Sequence, residues 1–182
     1  MAWTTPRTWV AGETVTDTIM NTHVRDNLAY LGTGIIRLNV NTTAVGNVGA
    51  GEDDLITYTL PAATLGVDGM GVRVLAWGYT ANNANAKTLK LYFGSTLLVS
   101  ASLTTSSAGR WAAEMIAIRT GATAQLGYPT MVTHDATSMT LGAGSPGTPA
   151  ETLSGAVVIK ATGTATANDD IVNSLLLVEL IR

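Results

Sequence analysis

The chain has 182 residues, a net charge of −3, 13% charged side chains and no cysteine. That length allows one domain with a real core, or a small domain plus an arm. The composition excludes a disulfide framework, thiol chemistry and a basic footprint for nucleic acid, and few charges beside many Thr, Ala and Gly fit a subunit largely covered by neighbours.

Residues 1–33 read differently from the rest. Trp3, Pro6, Arg7 and Trp9 lie in a Thr-rich start. Pro6 fixes its own φ and biases Thr5 toward extended geometry. Two indoles on a stiff segment offer large apolar area at low entropy cost. They fit equally a segment that docks on a partner and one that folds back over the following domain. Thr14 or Thr16 is the expected N-cap, with Asp17 in the first turn. Met20, Val24, Leu28 and Leu31 then recur at helical spacing, with Ile19 and His23 beside them, so one amphipathic helix is predicted. Gly32 is placed to stop it, and Gly34 to loosen the junction.

Period two dominates residues 34–182. Leu89, Leu91 and Phe93 alternate with Thr88, Lys90 and Tyr92. Leu97, Val99, Ala101 and Leu103 alternate with Leu98, Ser100 and Ser102. Trp111, Ala113, Met115 and Ala117 alternate with Ala112, Glu114, Ile116 and Ile118. Leu153, Gly155, Val157, Ile159 and Ala161 alternate with smaller or polar residues. Further strands are predicted over 35–39, 55–60, 70–79, 122–127, 131–133 and 138–141, and loops over 142–149 and 163–170. Short half-buried strands at this spacing predict a mainly β fold, an antiparallel β-sandwich or jelly roll. The last strand, 171–181, is apolar on both faces near its middle. Such a strand lies at the centre of a packed sheet or at a subunit interface. The interface is the reading taken, with Leu175, Leu176, Val178 and Leu180 in a homotrimer.

Little in the chain points to chemistry. His23 lies beside the helix stripe. His134 stands in a predicted turn before Asp135, and one histidine in the β-region supplies neither a triad nor a multi-His metal site. Glu52–Asp53–Asp54 and Asp169–Asp170 lack the alternating spacing of a calcium loop and read as solvated turns that protect strand edges. Residues 46–51 are Gly-rich without a following lysine and helix, so they form no phosphate cradle. No cofactor, metal or catalytic residue is expected. Exposed aromatics such as Tyr79, Tyr92 and Tyr128 would stack on sugars, but with only ten aromatics in the chain most are expected in the core or an interface. No stretch reaches the ~20 apolar residues of a membrane span, and no basic start precedes an apolar run. A protein made in a cytoplasm, with neither membrane nor nucleic-acid partner, is expected.

The segment Thr5-Pro6-Arg7-Thr8-Trp9, Gly12-Glu13, Val15-Thr16, Met20-Asn21-Thr22-His23 and Arg25-Asp26-Asn27-Leu28 resembles the N-terminal segment of a widespread group of tailed-bacteriophage virion proteins. Residues 60–98 are similar to the jelly-roll modules that follow it in that group. The resemblance implies a particle component: a capsid decoration or head-fibre knob bound through residues 1–33 to the major capsid protein or another virion component. The alternative is a small tail fibre that binds host glycans. A compact knob is expected rather than a long fibre.

Overall fold

The computed structural model describes residues 4–5, 7–31, 36–103, 109–134, 139–144 and 146–182. Trp3, Pro6, Gly32 and Gly34, to which the sequence assigns roles, lie outside the described residues.

The helix begins at the second of the two candidate caps. Thr16 is extended, and its hydroxyl accepts from the Ile19 N–H at 3.3 Å. That satisfies one of the donors a helix start leaves open. Helix α1 (Asp17–Met20) continues into a π-helical stretch (Asn21–Arg25) and then α2 (Asp26–Leu31). The Asp26 N–H reaches the Asn21 carbonyl, five residues back. A five-residue bond encloses one more residue than the α-helical bond, so side chains four apart no longer stack in one line. This breaks the stripe read from the sequence. Asn27 becomes the buried residue, Ile19, His23 and Val24 are half-buried, and Met20 and Leu28 are exposed.

Among the described residues twelve strands follow: β1 (Ile36–Asn41), β2 (Val45–Gly46), β3 (Gly51–Leu60), β4 (Gly71–Thr80), β5 (Lys87–Phe93), β6 (Thr96–Leu103), β7 (Gly109–Gly121), β8 (Ala124–His134), β9 (Met139–Leu141), β10 (Ala143–Gly144), β11 (Val157–Ala165) and β12 (Ile171–Ile181). They form two antiparallel sheets. One runs β1-β12-β4-β7-β8-β9, with β2 also on β12, and the other runs β10-β6-β5-β11-β3. This is the expected mainly β sandwich.

One core lies between the sheets. Val72, Val74 and Ala76 of β4, Trp111, Met115 and Ala117 of β7, and Leu176 and Val178 of β12 face Leu89, Leu91 and Phe93 of β5 and Val157 and Ile159 of β11. Each such side chain contributes roughly 1.5–3 kcal/mol by leaving water, the smaller ones less. Among the described residues, none of 4–5 and 7–28 belongs to this cluster. Gly78 is required by a close approach: a Cβ there would collide with the Val172 carbonyl oxygen and lie 2.9 Å from the Trp111 indole nitrogen. That nitrogen donates to the same carbonyl at 3.1 Å, which satisfies the buried indole.

Several boundaries differ from the sequence reading. The segments 122–127 and 131–133 are one strand, β8, across Pro129. Gln125, Gly127 and Met131 turn their backbone groups away from β7, toward Pro149, Gly147 and Gly142. Pro129 shares that phase, so its missing donor falls on the sparsely paired side of the strand, where proline is tolerated. A bulge between Leu91 and Tyr92 shifts the β5–β6 register. Leu98 is therefore buried and Leu97 is exposed, contrary to simple alternation. β11 runs on to Ala165, so the loop predicted over 163–170 shrinks to a turn, and the predicted loop 142–149 contains the short edge strand β10.

Candidate functional site: the N-terminal segment and the outer sheet face

Residues 4–31 hold themselves together. Asn27 clamps the extended start to the helix: its Oδ1 accepts from the Thr4 N–H at 3.0 Å, and its Nδ2 donates to the Thr4 carbonyl at 2.9 Å. Arg7 pairs with Glu13 and lies 5.2 Å from the centre of the Trp9 ring, a cation–π distance. Among the described residues, the side-chain hydrogen bonds of this segment close within it. Trp9 is 48% exposed, and Val10, Val15, Met20 and Leu28 are exposed with it. Of the attachment residues read from the sequence, Arg7, His23 and Val24 are half-buried within the segment, while Trp9, Met20 and Leu28 face outward. Leu31 ends α2, but its side chain lies outside what is described. The buried His23 Nδ1 finds no hydrogen-bond partner among the described residues.

The C-terminal strand is placed otherwise than expected. β12 lies inside its sheet, between β1 and β4. Leu176, Val178 and Leu180 pair with Ala76, Val74 and Val72 and point into the protomer's own core. They cannot face a partner, and their assignment to an oligomer interface is corrected. Leu175 stands on the opposite side, beside Trp77. The strand is apolar on both faces because the outer face of its sheet is apolar too.

Register builds that outer face row by row. Leu175, Trp77, Ala112, Val132 and Leu141 form one row across β12, β4, β7, β8 and β9. Val40, Leu177, Leu75, Glu114 and Thr130 form the next. Glu179, Arg73, Ile116 and Tyr128 flank it on one side, and Val172, Tyr79, Arg110, His134 and Met139 lie beyond the first row. Trp77 is 49% exposed, and Tyr79, Tyr128, Leu141 and Met139 are exposed as well. Arg73 sits between Glu114 at 2.6 Å and Glu179 at 3.6 Å. The small Ala112 leaves a trough between Trp77 and Val132, seen as depressions of about 370 and 250 Å3 that share those three residues. His134 is the exposed last residue of β8, beside Arg110, rather than a turn residue.

The outer face of the other sheet has the opposite character. Lys90 and Tyr92 both bond Glu52, as does Thr162, and Lys160 bonds Asp54 at 2.6 Å. Lys160 also stands over the Tyr92 ring at 5.6 Å, which withdraws Tyr92 from the sugar-stacking set. The bond from Lys90, then that from Thr162, holds the Glu52 carboxyl below the usual range against the opposing effect of burial. Glu52, Asp53 and Asp54 therefore belong to β3 and not to a turn. They do guard an edge, since β3 ends its sheet.

The second carboxylate pair does lie in a turn, with Asp169 exposed, but Asp170 is not solvated. Asp170 is buried between β11 and β12. It accepts from Asn83 at 2.5 Å, Asn85 at 2.8 Å, and the N–H groups of Ala167 and Thr166. Burial pushes its carboxyl up, but the bonds from Asn83, Ala167, Asn85 and Thr166 outweigh it and hold the pKa at about 2. Lys87, 1% exposed, donates to the Asn83 carbonyl, the Asn83 Oδ1 and the Asn85 carbonyl at 3.1, 2.8 and 2.9 Å. Asn47 is buried alongside, donating to Ala167 and Gly49 and accepting from the Ile171 N–H. This network ties three connections together at one end of the sandwich. Every oxygen of Asp170 is already engaged, which leaves it structural rather than available.

Among the described residues no group of three or more His, Asp or Glu converges as metal ligands would. Stability is therefore expected to be independent of divalent cations. EDTA should leave the melting temperature unchanged; a drop of several degrees that calcium restores would reveal a metal loop at Glu52–Asp54 or Asp169–Asp170.

No helix of the described residues is long and apolar enough to cross a membrane. No family model matches the chain, and no curated protein matches it. Among solved structures, it aligns with the CBM2 module of the evolved Dit of Lactobacillus casei BL23 phage J-1. That alignment has 9% identity, covers 80% of this chain and 96% of that one, and has a TM-score of 0.31. So low a score carries no argument about shared topology or ligand.

Proposed function

We propose that this chain is a structural component of a tailed-phage particle: a trimeric capsid-decoration or head-fibre knob, held by its N-terminal segment, with no catalytic role. The observation that carries the reading is the separation of residues 4–31 from the sandwich core. The segment closes its own hydrogen bonds through Asn27 and Arg7, yet leaves Trp9, Met20 and Leu28 exposed. Exposed rigid aromatic and aliphatic side chains on a self-ordered segment are anchors without a pocket. The same residues carry the resemblance to phage virion proteins. The partner is the major capsid protein or another virion component, and the site of action is the virion.

Deleting residues 1–31 should leave the sandwich folded, with a melting temperature within about 2 °C of the full chain, since the core takes nothing from the segment. The same deletion should abolish incorporation into particles. Wild-type occupancy by the truncated protein, read from the protein content of purified particles, would contradict attachment through this segment.

A tail-associated small fibre binding host glycans is the second reading. Trp77, Tyr79 and Tyr128, exposed on one sheet face, favour it, because flat aromatic rings stack on sugars. Copy number distinguishes the two: hundreds per particle for a head protein, a handful of oligomers for a tail protein.

A further inference from the structure

The sandwich has one polar outer face and one apolar outer face. On the β3–β11–β5 side, lysines and carboxylates pair across strands, as a solvated sheet requires. On the β12–β4–β7 side, the residues in the same outward phase are Leu175, Trp77, Ala112 and Val132, with Leu75 and Leu177 in the next row. Scattered exposed hydrophobics need no explanation, but a continuous row across a sheet marks an interaction surface.

We propose that this outer face is where copies of the chain associate, the Leu175–Trp77–Ala112–Val132 rows of three copies turned inward around a common threefold axis. The proposal deepens the reading above by giving the oligomer its surface.

Three observations favour a second copy as the occupant. The first is area. At ~4.8 Å between strands and ~6.8 Å between same-face residues, the outward positions of the four rows cover about 620 Å2. Stable complexes bury roughly 600–1,000 Å2 per partner, so the face reaches the lower end of that range. The second is charge. The face carries Arg73 and Arg110 together with Glu114 and Glu179, both signs around an apolar centre. Arg73 is paired with Glu114 and Glu179 within the protomer, so the face presents no single-sign field to attract a strongly basic or acidic partner, and a like copy seats on it without excess repulsion. The third is composition. Tryptophan, tyrosine, methionine and arginine, with no lysine in these rows, are the residue types enriched at protein–protein interfaces. The two-sided β12 follows: Leu176 and Val178 fill the protomer core, Leu175 is already largely covered beside Trp77, and the half-buried Leu177 turns to the contact between copies.

The test uses purified full-length protein in solution, without particles, so it fails separately from the attachment reading. Size-exclusion chromatography with light scattering should give an oligomer for the wild type. Ala112→Lys places a charge in the centre of the trough at an exposed position, with room for the stem. It should give the protomer mass with an unchanged melting profile. Thr88→Lys on the opposite sheet should leave the oligomer intact. If Ala112→Lys does not fold, Trp77→Gln, at a half-exposed side chain, takes its place. A monomeric wild type would overturn the proposal, and so would a folded Ala112→Lys or Trp77→Gln protein that keeps the oligomer mass.

Discussion

Leu176→Asp should abolish folding of the protomer itself. Leu176 is 0% exposed and pairs with Ala76 at the centre of its sheet. Removing a leucine there costs about 2–5 kcal/mol through lost burial and the cavity left behind. The carboxylate that replaces it has no cation within the core cluster, which adds several kcal/mol or forces protonation. The sum is comparable to the ~5–15 kcal/mol that holds a domain of this size together. The expected result is insoluble or unfolded protein, with no cooperative melt by circular dichroism. The same substitution at Leu97, which is 43% exposed on the other sheet, should cost about 1 kcal/mol or less. Leu176→Asp protein that is folded but monomeric would mean that β12 meets a partner through its inner face after all. That outcome would contradict the sandwich described here.

Asp170→Ala should be the most damaging change outside the apolar core. It leaves the side-chain amides of Asn83 and Asn85 and the N–H groups of Thr166 and Ala167 without their acceptor. It also removes the negative charge that Asn83 relays to the buried ammonium of Lys87. Bonds to a charged group are worth about 1.5–3 kcal/mol each, and they do not add fully. A loss of about 3–4 kcal/mol is expected, about 10 °C in melting temperature for a chain of this length. The acid side carries the same signature. Asp170 is held at about 2 in the folded chain against an ordinary 3.8. A depressed folded pKa gives stability that is complete above the unfolded value and is lost as pH falls through the folded one. Wild-type stability should therefore decline between pH 4 and pH 2, and Asp170→Asn should show a shallower decline over that window. Equal acid slopes for the two proteins would remove Asp170 from the account.

What the sequence made legible was the part governed by local alternation. Trp111, Ala113, Met115 and Ala117 are the inward face of β7, as their spacing predicts, because each alternate position there carries a residue tolerant of water or of a contact. The outward set was legible as a set, but its meaning was not. Ala112 and Ile116 gain significance only when register brings Trp77, Leu75 and Tyr128 beside them, and pairing partners are not written in a strand's own period. β12 shows the same limit. Its two apolar faces were correctly seen, but which face belongs to the protomer depends on Val72, Val74 and Ala76, about a hundred residues upstream. The helix failed for a different reason. A stripe at four-residue spacing assumes α geometry throughout, and the π-helical stretch at Asn21–Arg25 rotates Leu28 away from Val24. The Asp170 network was hidden because its donors come from residues 87 and 85 positions away. A short acidic run in a polar segment otherwise reads as solvated.

The proposed attachment to a phage particle is tested most directly by a density map of particles that incorporate this protein. The expected result is density for residues 4–31 seated against another virion protein, with Trp9, Met20 and Leu28 buried there. The sandwiches should stand outward, clustered so that their Trp77 faces meet. A map in which the sandwich contacts the particle through its β12–β4–β7 face, while residues 4–31 point into solvent, would contradict it.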